Sequence, residues 1–271
     1  MPQFDILDKV ALVTGGASGL GFLYAINLLE EGARGVTLAD IDKVAGAKAL
    51  EEIEKKYGAN KAIFVYCNVE RKSDFEDAFV KTIEKFQNID ILINNAGILN
   101  DHVYEKEIAI NVNGVAYGVI LGLDKYIPQY KSGPEGLIVN ISSIAGVSPL
   151  AMIPIYVGTK FAVHGMTLSW GDSYHYNRTK VRVVGVCPGV TDTPLIQLMS
   201  GRNLGPVYQE CLKDLRNYPV QAPGQMANRM IQIIKNAPSG TMWIVEGNSL
   251  PFKFELPNYQ KMKRVYLEED Q

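Results

Sequence analysis

Short apolar runs alternate with longer amphipathic stretches along the whole chain. Residues 10–14, 35–39, 62–66, 89–93, 137–141, 181–186 and 241–245 read as seven strands. Between them, 19–31, 42–57, 71–87, 105–130 and 155–176 carry helical spacing. The strand runs are continuously apolar rather than alternating. That is the pattern of strands buried on both faces, as in a parallel sheet covered by helices. The expected class is therefore α/β, one doubly wound domain over residues 1–271 with a mostly parallel, seven-stranded sheet. Residues 191–225 break the pattern, being rich in Gly, Pro, Asn and Leu. An irregular stretch that long usually serves function, so a substrate-binding lid is expected there.

Bulk composition narrows the classes without choosing among them. A net charge of −2 gives no electrostatic footprint for nucleic acid. The short basic tract Lys261-Met262-Lys263-Arg264 runs into Glu268, Glu269 and Asp270, which reads as a solvated tail. No apolar run is long enough to span a bilayer, and no signal-like leader is seen, so the cytoplasm is the default expectation. Cys67, Cys187 and Cys211 are far apart with no paired spacing, which argues against a disulfide framework or a metal site.

Chemistry-bearing residues gather where strands end. After the first strand comes Thr14-Gly15-Gly16-Ala17-Ser18-Gly19-Leu20-Gly21. A glycine-rich turn leading into a helix lets backbone approach a pyrophosphate at the helix N-terminus. Asp40 ends the second strand, 19 residues after Gly21. A carboxylate there accepts from ribose hydroxyls and repels a 2′-phosphate, which favours NAD over NADP. Asp42 suits the N-cap of the next helix and leaves Asp40 free. Asn94-Asn95-Ala96-Gly97 follows the fourth strand, Ser142-Ser143 the fifth and Pro188-Gly189 the sixth. Tyr156 and Lys160 stand one helical turn apart, 13 and 17 residues after Ser143. Taken alone, such a pair is usually a surface neighbourhood. Beside these strand ends it reads as a phenol whose pKa a cation lowers for acid–base work.

From Lys9 to Gly247 these motifs, with Asn111, stand in the order and spacing of the short-chain dehydrogenase/reductase family, which the chain resembles. Within that family it is similar to the branch of hydroxyprostaglandin dehydrogenase and the insect-type alcohol dehydrogenases. The likeness lies in Ile110-Asn111-Val112-Asn113-Gly114, in 136–143, in Cys187-Pro188-Gly189-Val190-Thr191-Asp192-Thr193 and in 239–245. It implies a Rossmann-like domain and reversible hydride transfer between an alcohol carbon and NAD. It also implies roles for named residues. Tyr156 is the base in oxidation and the acid in reduction, Lys160 lowers its pKa and holds the nicotinamide ribose, Ser143 holds the substrate oxygen, and Asn111 anchors a relay water. Gly15, Ala17, Ser18, Gly19, Leu20, Gly21, Asp40, Ile41, Asn68, Val69, Asn95, Ala96 and Gly97 become the first part of the cofactor site. Pro188, Gly189, Val190, Thr191 and Thr193 join Tyr156 and Lys160 in the second. No metal is implied.

Two positions depart from the family pattern. Asn68 stands where an aspartate is usual, and its amide can still bond an adenine. Ile153 stands where the hydroxyprostaglandin enzyme has glutamine, so prostaglandin specificity does not follow. Ser143, Ile153, Tyr156 and Leu195 are the expected substrate contacts. Val147, Pro149, Leu150, Met152, Val190, Ile196, Leu198 and Met199 are further pocket candidates. This apolar set points to a lipophilic secondary alcohol or ketone: a steroid or ecdysteroid, an isoprenoid or an oxidised fatty acid. The alternative is a catalytically silent cofactor- or lipid-binding member of the fold, against which the complete set Asn111, Ser143, Tyr156 and Lys160 argues. Related proteins pair through the helices at 104–130 and 155–176, which implies a homodimer, or a tetramer built from such dimers.

Overall fold

Each strand feeds two cores, because successive side chains point to opposite faces. The structure, a computed structural model, describes residues 3–211, 213 and 218–263. Strand β1 (Val10–Thr14) sends Ala11 and Val13 to one face and Leu12 to the other. Strand β4 (Ile91–Asn94) does the same with Ile91 and Ile93 against Leu92. On the first face, helix α1 (Gly19–Glu30) brings Tyr24 and Leu28, helix α2 (Lys43–Tyr57) brings Ile53, and helix Pro223–Asn236 brings Met226 and Met230. On the second face lie Phe75 and Phe79 of helix α3 (Lys72–Phe86), with Val115 to Tyr126 of a long helix over 104–130. Phe75 and Phe79 are wholly buried. Each stabilises the fold by about 1.5–3 kcal/mol relative to exposure.

The remaining strands are β2 (Gly35–Asp40), β3 (Ala62–Tyr66), β5 (Gly136–Ile141), β6 (Val181–Pro188), β7 (Thr241–Val245) and β8 (Phe252–Phe254). Their order across the sheet is β3-β2-β1-β4-β5-β6-β7-β8, with every pair parallel except β7–β8. The chain therefore winds outward in both directions from β1 and β4. A crevice opens at that switch point, above the carboxyl ends of the strands.

Three differences from the sequence reading have physical causes. The sheet has eight strands, not seven. β8 is only three residues long and none of them is buried, so no apolar run announces it. The helix expected over 155–176 is two, Pro154–Trp170 and Ser173–Thr179. The break falls at Gly171, where a Cβ would lie 2.3 Å from Gly240, and Asp172 then caps the second helix by accepting from Tyr174 N–H at 2.8 Å. Residues 191–225 are not all irregular. They hold the single-turn helices Pro194–Gln197 and Pro206–Gln209, a parallel bridge between Thr191 and Gln221, and the start of helix Pro223–Asn236. Positions 212 and 214–217 of the expected lid, and the end from Arg264 through Glu268, Glu269 and Asp270, lie outside the described residues.

Asp90 shows how the sheet starts are tied. It is fully buried just before β4 and accepts from Val10 N–H at 2.9 Å, and from the backbone and hydroxyl of Ser132. Lys9 Nζ stands 3.9 Å away. Removing the carboxylate strands the Val10 and Ser132 donors. Asp90→Ala is expected to lower the unfolding free energy by about 2–3 kcal/mol, read as an earlier urea midpoint at unchanged slope.

Candidate active site

The loop after β1 is held open by glycines and closed by one asparagine. Gly15 and Gly19 sit at φ +61 and +54, the left-handed region that favours glycine. A Cβ on Gly21 would fall 2.1 Å from the Gly15 carbonyl oxygen. Asn95 Nδ2 donates to the carbonyls of Thr14 and Gly15 at 2.9 and 3.2 Å. In return the Thr14 hydroxyl accepts from the N–H groups of Asn95 and Ala96 at 3.0 and 3.1 Å. The ends of β1 and β4 are thereby locked together.

Above this lock lies a cleft of about 360 Å³. The first turn of α1 holds no acidic residue, and Ser18 makes no side-chain cap, so its free N–H groups suit an anion. Asp40 stands at the end of β2. Its carboxylate accepts from Ala17 N–H and from Asp42 N–H, each at 3.0 Å, and still lines the cleft. Asp42 caps α2, accepting from Val44 and Ala45 at 2.9 Å. Lys43, the nearest cation in the chain, sits 4.8 Å above the Tyr66 ring. These features fit a nicotinamide dinucleotide lying across the sheet.

Most expected site residues converge on this cleft. Gly15, Ser18, Gly19, Leu20, Asp40, Ile41, Asn68, Val69, Asn95, Ala96 and Gly97 line one half. Ser143, Tyr156, Lys160, Pro188, Gly189, Thr191, Thr193 and Leu195 line the other. Ala17 and Gly21 do not line the cleft: Ala17 N–H is taken by Asp40, and Gly21 packs against the Gly15 carbonyl. Val190 and Val147 do not line the cleft, and instead pack with Ile144, Cys187 and Met242 beneath it. Ile153 is buried with Leu99, Met152 and Met199 as an apolar wall around Tyr156, and does not line the cleft. Leu150 flanks that wall, while Pro149 and Leu198 are exposed. The sequence reading missed Cys67, Ile98, Ile110, Ile141, Ser142 and Pro194, which also line the cleft. Each is adjacent to a motif residue or one helical position from it, which was the available signal.

The Tyr156–Lys160 pair is more buried than one-turn spacing suggests. Tyr156 is 7% exposed and Lys160 5%. Burial raises the Tyr156 phenol well above its ordinary value, against a lowering by the facing Ser143 hydroxyl. Burial pushes Lys160 down to about 8. Lys160 Nζ donates to the Ile141 carbonyl at 3.0 Å and lies 5.5 Å from the Tyr156 ring centre. Without a cofactor, the groups around Tyr156 leave the phenol high, chiefly through burial. Asn111 lies in a π-helical stretch, Ala109–Gly114, of the long helix. Its Oδ1 accepts from Ile98 N–H at 2.9 Å, and its Nδ2 donates to Ile98 C=O at 2.8 Å and Thr159 Oγ1 at 3.1 Å. Both Nδ2 hydrogens are therefore spoken for.

A family model for short chain dehydrogenases matches residues 9–202, and the chain belongs to that family. It is 36% identical to mouse 15-hydroxyprostaglandin dehydrogenase [NAD(+)] over 84% of this chain and 86% of that one. It is 30% identical to alcohol dehydrogenase 1 of Ceratitis cosyra, over 91% and 95%. The crystal structure of levodione reductase shares the fold, with a TM-score of 0.76 at 22% identity over 89% and 97% of the two chains. The protein is an oxidoreductase acting on CH–OH groups with a nicotinamide cofactor.

Holding a lysine in this site has a stability consequence with a definite sign. A base whose pKa falls on folding binds fewer protons than the unfolded chain between about 8 and the unfolded 10.5. Its cost is full below about 8 and fades as pH rises through that window. Lys160→Met is therefore expected to stabilise the cofactor-free protein near neutrality by roughly 1–3 kcal/mol. Thermal melts across pH should show the gain shrinking towards pH 10.5.

Proposed function

We propose that the protein is an NAD-dependent dehydrogenase that interconverts a lipophilic secondary alcohol and its ketone, with Tyr156 as the acid–base residue. The observation that carries this reading is the meeting of Ser143, Tyr156 and Lys160 in one wall of the dinucleotide cleft. The oxidised nicotinamide, when bound, supplies the hydride acceptor and a positive charge beside the phenol. Tyr156 then takes the alcohol proton in oxidation and returns it in reduction. Ser143 holds the substrate oxygen, and its hydroxyl faces the phenol. Lys160, in reach of the ribose side of the cleft, steadies the phenolate. With its amide hydrogens engaged, Asn111 retains only acceptor oxygens, side chain and carbonyl, for a relay water.

The substrate side favours apolar molecules. Leu195 and Ile196 flank the cleft mouth, and Met152, Ile153 and Met199 back Tyr156 without a hydrogen-bonding side chain among them. A steroid or ecdysteroid, an isoprenoid or an oxylipin-like alcohol matches this wall. Asp40 supports NAD over NADP, since its charge meets the 2′ position and Lys43 is turned to Tyr66. A homodimer is supported by apolar side chains left open on the two pairing helices: Tyr104, Ile108 and Ile120 on one and Phe161 on the other. No described helix is long and apolar enough to cross a membrane.

Tyr156→Phe should lower kcat by about 10²-fold or more while NAD affinity stays near wild type. Steady-state kinetics with a panel of secondary alcohols and titration of cofactor binding test this together; near-normal turnover overturns the assignment. Asp40→Ala should weaken NAD and narrow its advantage over NADP by about tenfold, equal to about 1.4 kcal/mol. An unchanged ratio of kcat/KM for the two cofactors contradicts the NAD reading.

A further inference from the structure

The N-terminus of the Tyr156 helix is capped from outside the helix. Pro154 has no N–H, and the preceding residue, Ile153, offers no capping side chain. The next two donors, Ile155 N–H and Tyr156 N–H, are both taken by Asp101, at 2.8 and 3.0 Å. Asp101 is fully buried in the turn Asp101–Val103. A second carboxyl, Glu107, is also fully buried and lies within hydrogen-bonding reach of Asp101. Glu107 Oε1 accepts from Asn100 N–H at 2.7 Å, while its buried Oε2 has no donor. Two buried carboxylates cannot face one another without a proton between them. Glu107 also stands one helical turn before Asn111.

We propose that Glu107 is a positioning residue kept as a neutral acid, whose Oε2–H donates to the Asp101 carboxylate and so braces the cap that fixes the backbone of Tyr156. The inference rests on the reading of Tyr156 as the acid–base residue for its functional half only. The charged groups around the pair agree with it. Asp101 from the turn raises Glu107, Lys160 from the catalytic helix lowers it, and Tyr156 is the other titratable group facing it from that helix. His102, Glu105 and Lys106 are exposed. Burial dominates and pushes Glu107 up to about 8. An acid raised on folding stabilises the protein fully below its unfolded value of 4.5, and that contribution is lost as pH rises to about 8. Above that, a second negative charge would lie near Tyr156 and Lys160.

Glu107→Gln keeps both bonds of the neutral acid, because the amide oxygen accepts from Asn100 and the NH₂ donates to Asp101. Glu107→Ala removes both. Infrared spectra of the cofactor-free protein at neutral pH should show a protonated-carboxyl stretch that Glu107→Gln lacks and that fades in wild type near pH 8. Thermal melts should show a decline from pH 4.5 to about 8 that is shallower in Glu107→Gln. In turnover, Glu107→Ala should lose roughly tenfold in kcat with KM for NAD little changed, and Glu107→Gln should restore most of it. The absence of a difference band, or an unaltered melt profile in Glu107→Gln, overturns the shared proton. Full turnover in Glu107→Ala overturns the positioning role. The infrared and melting results stand even if Tyr156→Phe proves active, so the two readings fail separately.

Discussion

The site depends on the hydrogen bonds that join the ends of β1 and β4. Thr14 and Asn95 exchange donors and acceptors across the switch point of the sheet. That exchange sets the width of the crevice and holds Gly15 in a backbone form that only glycine adopts readily. The neighbouring ends then fall into place by register. Asp40 follows Ala39, which pairs with Thr14, and Asn94 pairs with Asn140 one strand further on. Buried amides continue the connection: Asn94 donates to Asn140, and Asn140 to Thr167 of helix Pro154–Trp170. A polar seam thus crosses the sheet beneath the cleft, its donors all paired while the buried Asn94 Oδ1 has no donor.

The second constraint is electrostatic. Lys160, Tyr156, Asp101 and Glu107 are ionisable, mutually close and almost wholly buried. In such a place each charge is tolerable only through its neighbours. The lysine is pushed down, the phenol up and the glutamate up, all chiefly by burial. The protein holds Tyr156 and Lys160 in a state of unfavourable solvation at the wall of the cleft. Stability is given up at the cleft wall, as is common where a fold builds a binding site.

The sequence carried the fold at the level of strand runs, because strands buried on both faces have no alternative to continuous apolar residues. It carried the motif residues because glycine, asparagine and serine at strand ends have few structural excuses. It could not show β8, whose three residues have no pattern to read. The break at Gly171 was also hidden, since it answers to the close approach of Gly240, distant in the chain. Asp101 and Glu107 escaped notice for a related reason. In sequence they look like ordinary surface acids of a loop and a helix. Only the tertiary approach of helix Pro154–Trp170 turns one into a cap and buries the other. Ile153 shows the converse: its residue type was read correctly as apolar, but it backs Tyr156 rather than facing the cleft.

The long helix over 104–130 contains two wide turns, Ala109–Gly114 and Gly122–Tyr126, each with the extra residue of a π turn. The first presents Asn111 to Ile98, and the second delivers Leu123 and Tyr126 to the core around Phe79. A uniform α-helix would fix the angle between those two faces by length alone. The wide turns make the angle adjustable, so a residue gained or lost in this helix can be absorbed as a turn tightened or loosened. The element that touches both the Tyr156 helix and an exposed apolar face can therefore change length without dragging one out of phase with the other.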